Sequence, residues 1–241
     1  MSTTRSRETS TRPNAPELVR YVALLRAVNV GGKGLVKKDA LRDAFARAGG
    51  ANVSTFIASG NVLFDAPPDR VESVVAGAQR RLKLVLGAEP VVMVRSAQEM
   101  SALMRRGPFA GVDAPKILKR YILFLADVPA RRPRLPLTHP KEELDIVHVA
   151  ARDCWVVSRR KASGMYGFPG IFVEAALGVP STARSWSTVV KLVELVTART
   201  APASRSSRRS RKNSTARDGA ASASARAPAD SRPARRRAAG R

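Results

Sequence analysis

The order in which extended and helical patterns alternate over Leu18–Val94 narrows the fold more than any other feature of this chain. Leu18–Ala27 is an apolar run rich in Val, Leu and Tyr, the pattern of a buried strand. It breaks at Asn29-Val-Gly-Gly-Lys-Gly34. Lys38–Ala48 then sets Leu41, Phe45 and Ala48 at helical spacing, and Gly49-Gly50 supplies a C-terminal stop. Asn52–Ala58 and Asn61–Ala66 read as two strands around a short Ser59-Gly60 connection. Pro67-Pro68 punctuates, and Asp69 is the expected N-cap of a helix to Leu86. That helix gathers Val71, Val74, Val75, Ala78, Leu82 and Val85 on one face before Gly87 ends it. Glu89–Val94 is a further strand. The order β-α-β-β-α-β predicts a ferredoxin-like (split β-α-β) subdomain over residues 18–95, one antiparallel sheet carrying both helices on one face.

The pattern continues over residues 96–200, with less regularity. Ser96-Ala-Gln-Glu99 is a capping box that opens a helix through Arg105. Lys119–Ala126 is a strand, and a Pro/Arg-rich connection over Val128–Pro140 leads to short strands at Asp145–Ala150 and Cys154–Ser158. Phe172–Leu177 is a short helix closed by Gly178, and Ser185–Val196 is a last helix expected to bury Trp186, Val189, Val190, Leu192 and Val196. These elements predict a second plait-like α+β half packed on the first, so the class is α+β.

Composition sets the limits of that core. Residues 201–241 hold no aromatic side chain and no aliphatic one larger than alanine, so they cannot bury enough surface to offset chain entropy. A basic disordered tail is the expectation there, and a short disordered arm over residues 1–17. The chain has 43 Lys+Arg against 19 Asp+Glu, a net +24, of which +13 falls in residues 18–200 and +10 in 201–241. Such a balance attracts polyanions, and an Arg- and Ala-rich coding bias yields it equally well. One cysteine, Cys154, excludes an internal disulfide and a Cys-rich metal site. No 18-residue apolar run exists and the N-terminus has no apolar segment, so neither a membrane span nor a secretory signal is expected, and the cytoplasm is the default.

Three segments carry a resemblance: Leu24-Leu-Arg-Ala-Val-Asn-Val-Gly-Gly-Lys33, Phe56-Ile-Ala-Ser-Gly-Asn-Val-Leu-Phe64, and Leu177-Gly-Val-Pro-Ser-Thr-Ala-Arg-Ser-Trp-Ser-Thr-Val-Val-Lys-Leu192. In kind and order they resemble the signature stretches of the bacterial domain-of-unknown-function family 1697. The resemblance covers nearly all of residues 18–196 and implies two plait-type halves packed together, with no agreed activity. It also marks two departures. Ala27 stands where the family usually has glycine, and Ser185 and Ser187 flank Trp186 where it usually has asparagine.

Candidate chemistry concentrates where strands give way to helices. The Asn29–Gly34 loop, with Gly31, Gly32 and Lys33, leaves a strand and enters a helix, so its N–H groups suit either an anion cradle or a tight turn. It matches neither a Walker loop nor a dinucleotide fingerprint. Arg184, Ser185, Ser187 and Lys191 gather a guanidinium, hydroxyls and an ammonium at the start of the last helix, as an anion site or as an ordinary Ser cap. With Arg26 these are the anion-binding candidates. Ser59-Gly60-Asn61 reads as a simple turn at the opposite end of the hairpin strands.

Catalytic constellations do not emerge. His139 and His148 have no partner at metal spacing, and Cys154 lies among apolar residues as an inert thiol. Ser158-Arg-Arg-Lys161 matches S-x-x-K without its companion motifs, and Glu142, Glu143 and Asp145 read as solvated surface. No metal or cofactor is expected. The tail holds two basic clusters, Arg208, Arg209, Arg211 and Lys212, then Arg235, Arg236 and Arg237, suited to sequence-independent polyanion binding. Three functions remain open: a binding module for nucleic acid or a phosphate-bearing small molecule, an enzyme of unknown reaction with a site between the two halves, and a protein-interaction module.

Overall fold

In a computed structural model, residues 17–28, 36–57, 60–107, 109 and 118–198 are described. The first strand, β1 (Val19–Leu25), is apolar and buried from Tyr21 onward because both its faces are covered there, while Arg20 near its start pairs with Asp65. Helix α1 (Lys38–Arg47), strands β2 (Ala51–Phe56) and β3 (Asn61–Ala66), helix α2 (Val71–Leu86) and strand β4 (Val92–Ser96) follow. Their sheet runs β2-β3-β1-β4 with every neighbour antiparallel, so β3 lies between the parallel pair β1 and β2. Ala23, Leu25, Val62 and Phe64 face α1 and α2, while Val22, Leu24 and Leu63 face the opposite way.

Helix α3 (Ala97–Arg105) begins directly at the end of β4, with both hydrogen bonds of the expected capping box formed between Ser96 and Glu99. Strands β5 (Leu118–Leu125), β6 (Leu137–His139), β7 (Leu144–Ala150) and β8 (Asp153–Arg159), helix α4 (Gly170–Leu177), strand β9 (Ser181–Ser185) and helix α5 (Trp186–Thr197) complete the described chain. The second sheet runs β6-β7-β8-β5-β9, again antiparallel throughout. One face, with Ile122, Phe124, Trp155 and Val157, meets the free face of the first sheet together with Met100 and Leu103 of α3 and Val189 and Leu192 of α5. The other packs Leu123, Cys154 and Val156 on Val173 and Leu177 of α4. Each fully buried Leu or Phe in these layers contributes about 1.5–3 kcal/mol.

The α+β class read from the sequence holds. Several local expectations are corrected. Arg70, not Asp69, takes the N-cap position of α2 and makes no side-chain cap bond. Val85 is 59% exposed because the buried face of α2 runs through Val74, Val75, Ala78, Leu82 and Leu86, which turns Val85 outward. Trp186 and Val190 are only partly buried, since α5 turns Val189, Leu192 and Val196 inward. Strands β6 and β9 are additions: Ser181-Thr-Ala-Arg-Ser185 has no apolar alternation, yet it pairs with β5 over five residues.

The two sheets repeat one design. Tyr21 pairs with Ser96, Val22 with Arg95 and Leu25 with Val92 in the first; Tyr121 pairs with Ser185, Ile122 with Arg184 and Leu125 with Ser181 in the second. Likewise Leu24 faces Asn61 as Phe124 faces Asp153. Leu25 N–H donates to Gly60 O at 2.8 Å and Leu125 N–H to Arg152 O at 2.8 Å. Arg26 N–H donates to Val91 O and Ala126 N–H to Pro180 O, both at 2.9 Å. Gly87 and Gly178 end α2 and α4 in the left-handed region, at φ 75° and 72°. The first half carries α1 between its first two strands; the second has the Pro/Arg-rich connection there.

Candidate functional site

Arg184 is the centre at which the three signature segments meet. It is the last residue but one of β9, and its guanidinium points across into the first sheet, 7% exposed. Nε donates to Asn61 Oδ1 at 2.6 Å, and Nη1 to Thr182 Oγ1 at 2.7 Å and Ala183 O at 2.9 Å. Nη2 donates to Leu25 O at 3.2 Å and Gly60 O at 3.3 Å. One side chain therefore joins the end of β1, the start of β3 and the end of β9. Removal from water lowers its pKa to about 10.

Arg95 occupies the matching place in the other half, 2% exposed. Its Nε donates to Asp153 Oδ1 at 3.0 Å and Nη1 to Val94 O at 2.9 Å. Nη2 reaches Leu125 O at 3.2 Å and also Arg152 O. Partner by partner the two nodes correspond: a preceding carbonyl, a strand-end leucine carbonyl, a turn carbonyl, and the first residue of β3 or β8. They differ in that last residue, Asn61 in one and Asp153 in the other, and in the Thr182 hydroxyl, where the Arg95 node has Met93. Burial draws the Arg95 pKa down, against the pull of Asp153, and draws the Asp153 pKa up against the pull of Arg95. Each half thus inserts an arginine into the strand ends of the other, an arrangement of the two-fold kind usually met between subunits.

Of the remaining candidates, Arg26 and Ser185 adjoin the Arg184 node in the chain. Arg26 forms a two-pronged pair with Glu174 of α4, Nε to Oε1 at 2.9 Å and Nη2 to Oε2 at 2.8 Å. Glu174 Oε1 also accepts from Ser181 N–H at 2.7 Å, which ties the exit of β1 to α4 and β9. Burial alone would raise the Glu174 carboxyl, but the Arg26 guanidinium and the Ser181 N–H hold it below the usual glutamate range. Ser185 is the N-cap of α5 and accepts from Thr188 N–H at 3.3 Å. Ser187 Oγ lies 3.1 Å from Ser185 Oγ, and Lys191 pairs with Glu194 at 2.7 Å on the exposed side of α5. Asn29, Gly31, Gly32 and Lys33 lie outside the described residues, as do the tail residues Arg208, Arg209, Arg211, Lys212, Arg235, Arg236 and Arg237.

Asn61 is the functional-looking residue that the sequence conceals. Gly60 and Asn61 lie beside the exit of β1, not at the far end of the hairpin strands, because β3 runs antiparallel to β1 and pairs Asn61 with Leu24; Ser59 lies outside the described residues. Asn61 is fully buried and also donates to Phe56 O at 3.0 Å. A small polar residue after glycine carries the signal of a turn, and only the strand register reveals its second duty. Asp145 is a further correction. It is buried on β7 and paired with Arg159 at the end of the neighbouring strand β8, a contact that the β7–β8 register sets.

Elsewhere the chemistry is quiet. Cys154 is buried and its thiol is pushed up to about 12, which keeps it protonated. His139 Nδ1 accepts from Lys141 and Glu142 N–H, and Lys161 pairs with Glu142. Among the described residues no group of His, Cys, Asp or Glu is placed to hold a metal ion, and no helix is long and apolar enough to cross a membrane.

Comparison with known proteins adds a family and a fold. The family model described as "Protein of unknown function (DUF1697)" matches residues 18–155. No curated protein matches the chain. Among solved structures, a conserved bacterial protein from Streptococcus pneumoniae is similar at 18% identity and a TM-score of 0.51, over 75% of this chain and 99% of that one. At that identity the likeness concerns the fold.

Proposed function

The chain belongs to the DUF1697 family, and from that premise we propose that it is a binding module for anionic ligands, a phosphate-bearing molecule or nucleic acid, with residues 201–241 adding sequence-independent affinity. The observation that carries this reading is the charge balance: +13 in residues 18–200 beside +10 in residues 201–241. Within the described core many carboxylates are already committed to the chain's own cations, among them Asp65, Glu99, Asp153 and Glu174. The surplus is left for an outside partner. In the sequence Asn29–Gly34 comes shortly after β1, and its glycines and Lys33 make Lys33 our first candidate for a core contact with an anion.

Arg184 itself supports the reading as a scaffold, since its guanidinium is already committed to acceptors on Leu25, Gly60, Asn61, Thr182 and Ala183, among others. Its replacement would test stability more than binding. The experiment is fluorescence anisotropy of a labelled single-stranded oligonucleotide with the full chain over a salt series. Affinity is expected to fall steeply with salt, with a slope that flattens when the tail arginines are replaced by glutamine. Lys33→Ala in that variant should lower what remains. Salt-independent binding, or affinity indifferent to both changes, would remove the proposal.

A further inference from the structure

Arg20 and Arg120 hold one position in the repeated design, and their surroundings differ. Each precedes a tyrosine that pairs with a helix-capping serine, Tyr21 with Ser96 and Tyr121 with Ser185. In both, Nε is buried and meets no acceptor among the described residues. Opposite Arg20 on β3 stands Asp65, and opposite Arg120 on β8 stands Val157. The first helical residue beyond the capping serine is Ala97 in one half and Trp186 in the other.

These exchanges decide what surrounds each guanidinium. Arg120 lies over the Phe109 ring, 5.6 Å from its centre, and Trp186 meets Phe109 edge-on at 5.3 Å. Two aromatic rings thus occupy that corner of the second half. At Arg20 the matching helix start offers only a methyl group, and a cavity of about 510 Å³ opens between β1, α3 and the end of α5. That volume falls within the roughly 300–1,000 Å³ of small-molecule sites.

The lining has a definite chemistry. Leu18, Ala97, Val196 and Ala198 give apolar walls, and Arg20 and Gln98 give polar ones. Asp65 accepts from Arg20 Nη1 at 2.9 Å and offsets its charge, so the cavity favours no net charge in a ligand. Nη1 also donates to Asn52 O at 2.9 Å, and Nη2 to Ser54 Oγ at 3.4 Å. With those edges engaged, the guanidinium has its flat face left to offer. Gln98 is exposed and its amide forms no bond among the described residues, which leaves a donor and an acceptor side by side.

We propose that this cavity binds a neutral, planar heteroaromatic ring with a donor and an acceptor on one edge, a nucleobase of the purine kind. The second half displays the same packing built from its own side chains, a ring on the guanidinium and a second ring beside it. A purine entering beside Ala97 lies over Arg20 as Phe109 lies over Arg120, an attraction of ring face for cation. Its other face covers the apolar walls, and the Gln98 amide meets its donor–acceptor edge. The site is independent of the anionic reading above, because its cation is already paired with Asp65 and the ligand needs no phosphate.

The test is a titration of the full-length protein with adenosine, followed by 1H–15N chemical-shift changes, with ribose and cyclohexanecarboxamide as controls that lack the planar ring. Adenosine is expected to shift the amides of Ala97, Gln98, Ser101 and Thr197 with a dissociation constant on the order of a millimolar, the range for so small a ligand. The two controls should leave them in place. Ala97→Trp, which fills the cavity as Trp186 fills its mate, is expected to abolish the response. Gln98→Ala, at an exposed position in the first turn of α3, should weaken it several-fold and decides the matter if the tryptophan variant folds poorly. Equal shifts with cyclohexanecarboxamide, shifts gathered away from α3 and the end of α5, or an unchanged response in Gln98→Ala would overturn the assignment.

Discussion

Ala27 shows how a single backbone angle gives meaning to a departure from a family pattern. It follows the last residues of β1 at φ 58°, in the left-handed region that costs an L-residue roughly 1–2 kcal/mol. The resemblance that puts glycine at this position is thereby explained: glycine enters that region without strain. Ala27 is exposed, so a lost methyl group removes little packing. Ala27→Gly is expected to stabilise the protein by about 0.5–1 kcal/mol, the relief of strain less the extra freedom glycine gives the unfolded chain. A thermal or urea melt reads this directly, and a loss of stability would show that the methyl group is held by contacts the angle does not reveal. Asn61 and Arg184 are the opposite case. Nothing in their own neighbourhoods of sequence brings them together, since the contact spans the two halves and depends on which strand lies beside which.

At the scale of elements, strands and helices with strong patterns were legible and those with weak ones were not. The apolar run of β1, the periodic faces of α1 and α2, the Gly87 and Gly178 stops and the Ser96 capping box all declare themselves by local chemistry. β9 does not, because its edge position lets Ser181, Thr182 and Ser185 stand in a strand whose stability comes from pairing with β5. The sequence around Ser185 marks a helix start, and the structure adds a strand before it: β4 and β9 each pass without a loop into a helix capped by their own final serine. The arginine before each serine is the lock of that junction. Because the Arg184 node is built on Asn61 where its mate has Asp153, an amide is an adequate partner in this geometry. Asp153→Asn is therefore expected to cost no more than about 1 kcal/mol. Asp153→Ala, which strips Arg95 of the group its Nε bonds, should cost about 3–5 kcal/mol. Denaturant melts of the two variants compare them, and equal losses would mean that the buried charge itself, not the hydrogen bond, is what the node requires.

Over the whole molecule, the reciprocal exchange of Arg95 and Arg184 has a consequence for how the protein comes apart. Were the halves to separate, each would expose a guanidinium built to sit on the other's strand ends, along with the shared layer around Trp155, Met100 and Leu192. Neither sheet can keep its polar groups satisfied and its apolar face dry alone, so partial unfolding has no resting place between native and denatured. Calorimetry is expected to record a single transition whose van 't Hoff and calorimetric enthalpies agree, in the full chain and equally in a chain ending at Thr200. Two resolved transitions would show that the halves melt independently. A repeat of this kind is fused not only by its peptide link but by obligation: the two halves have given up the ability to exist apart, and any change tolerated in one must be acceptable to the other.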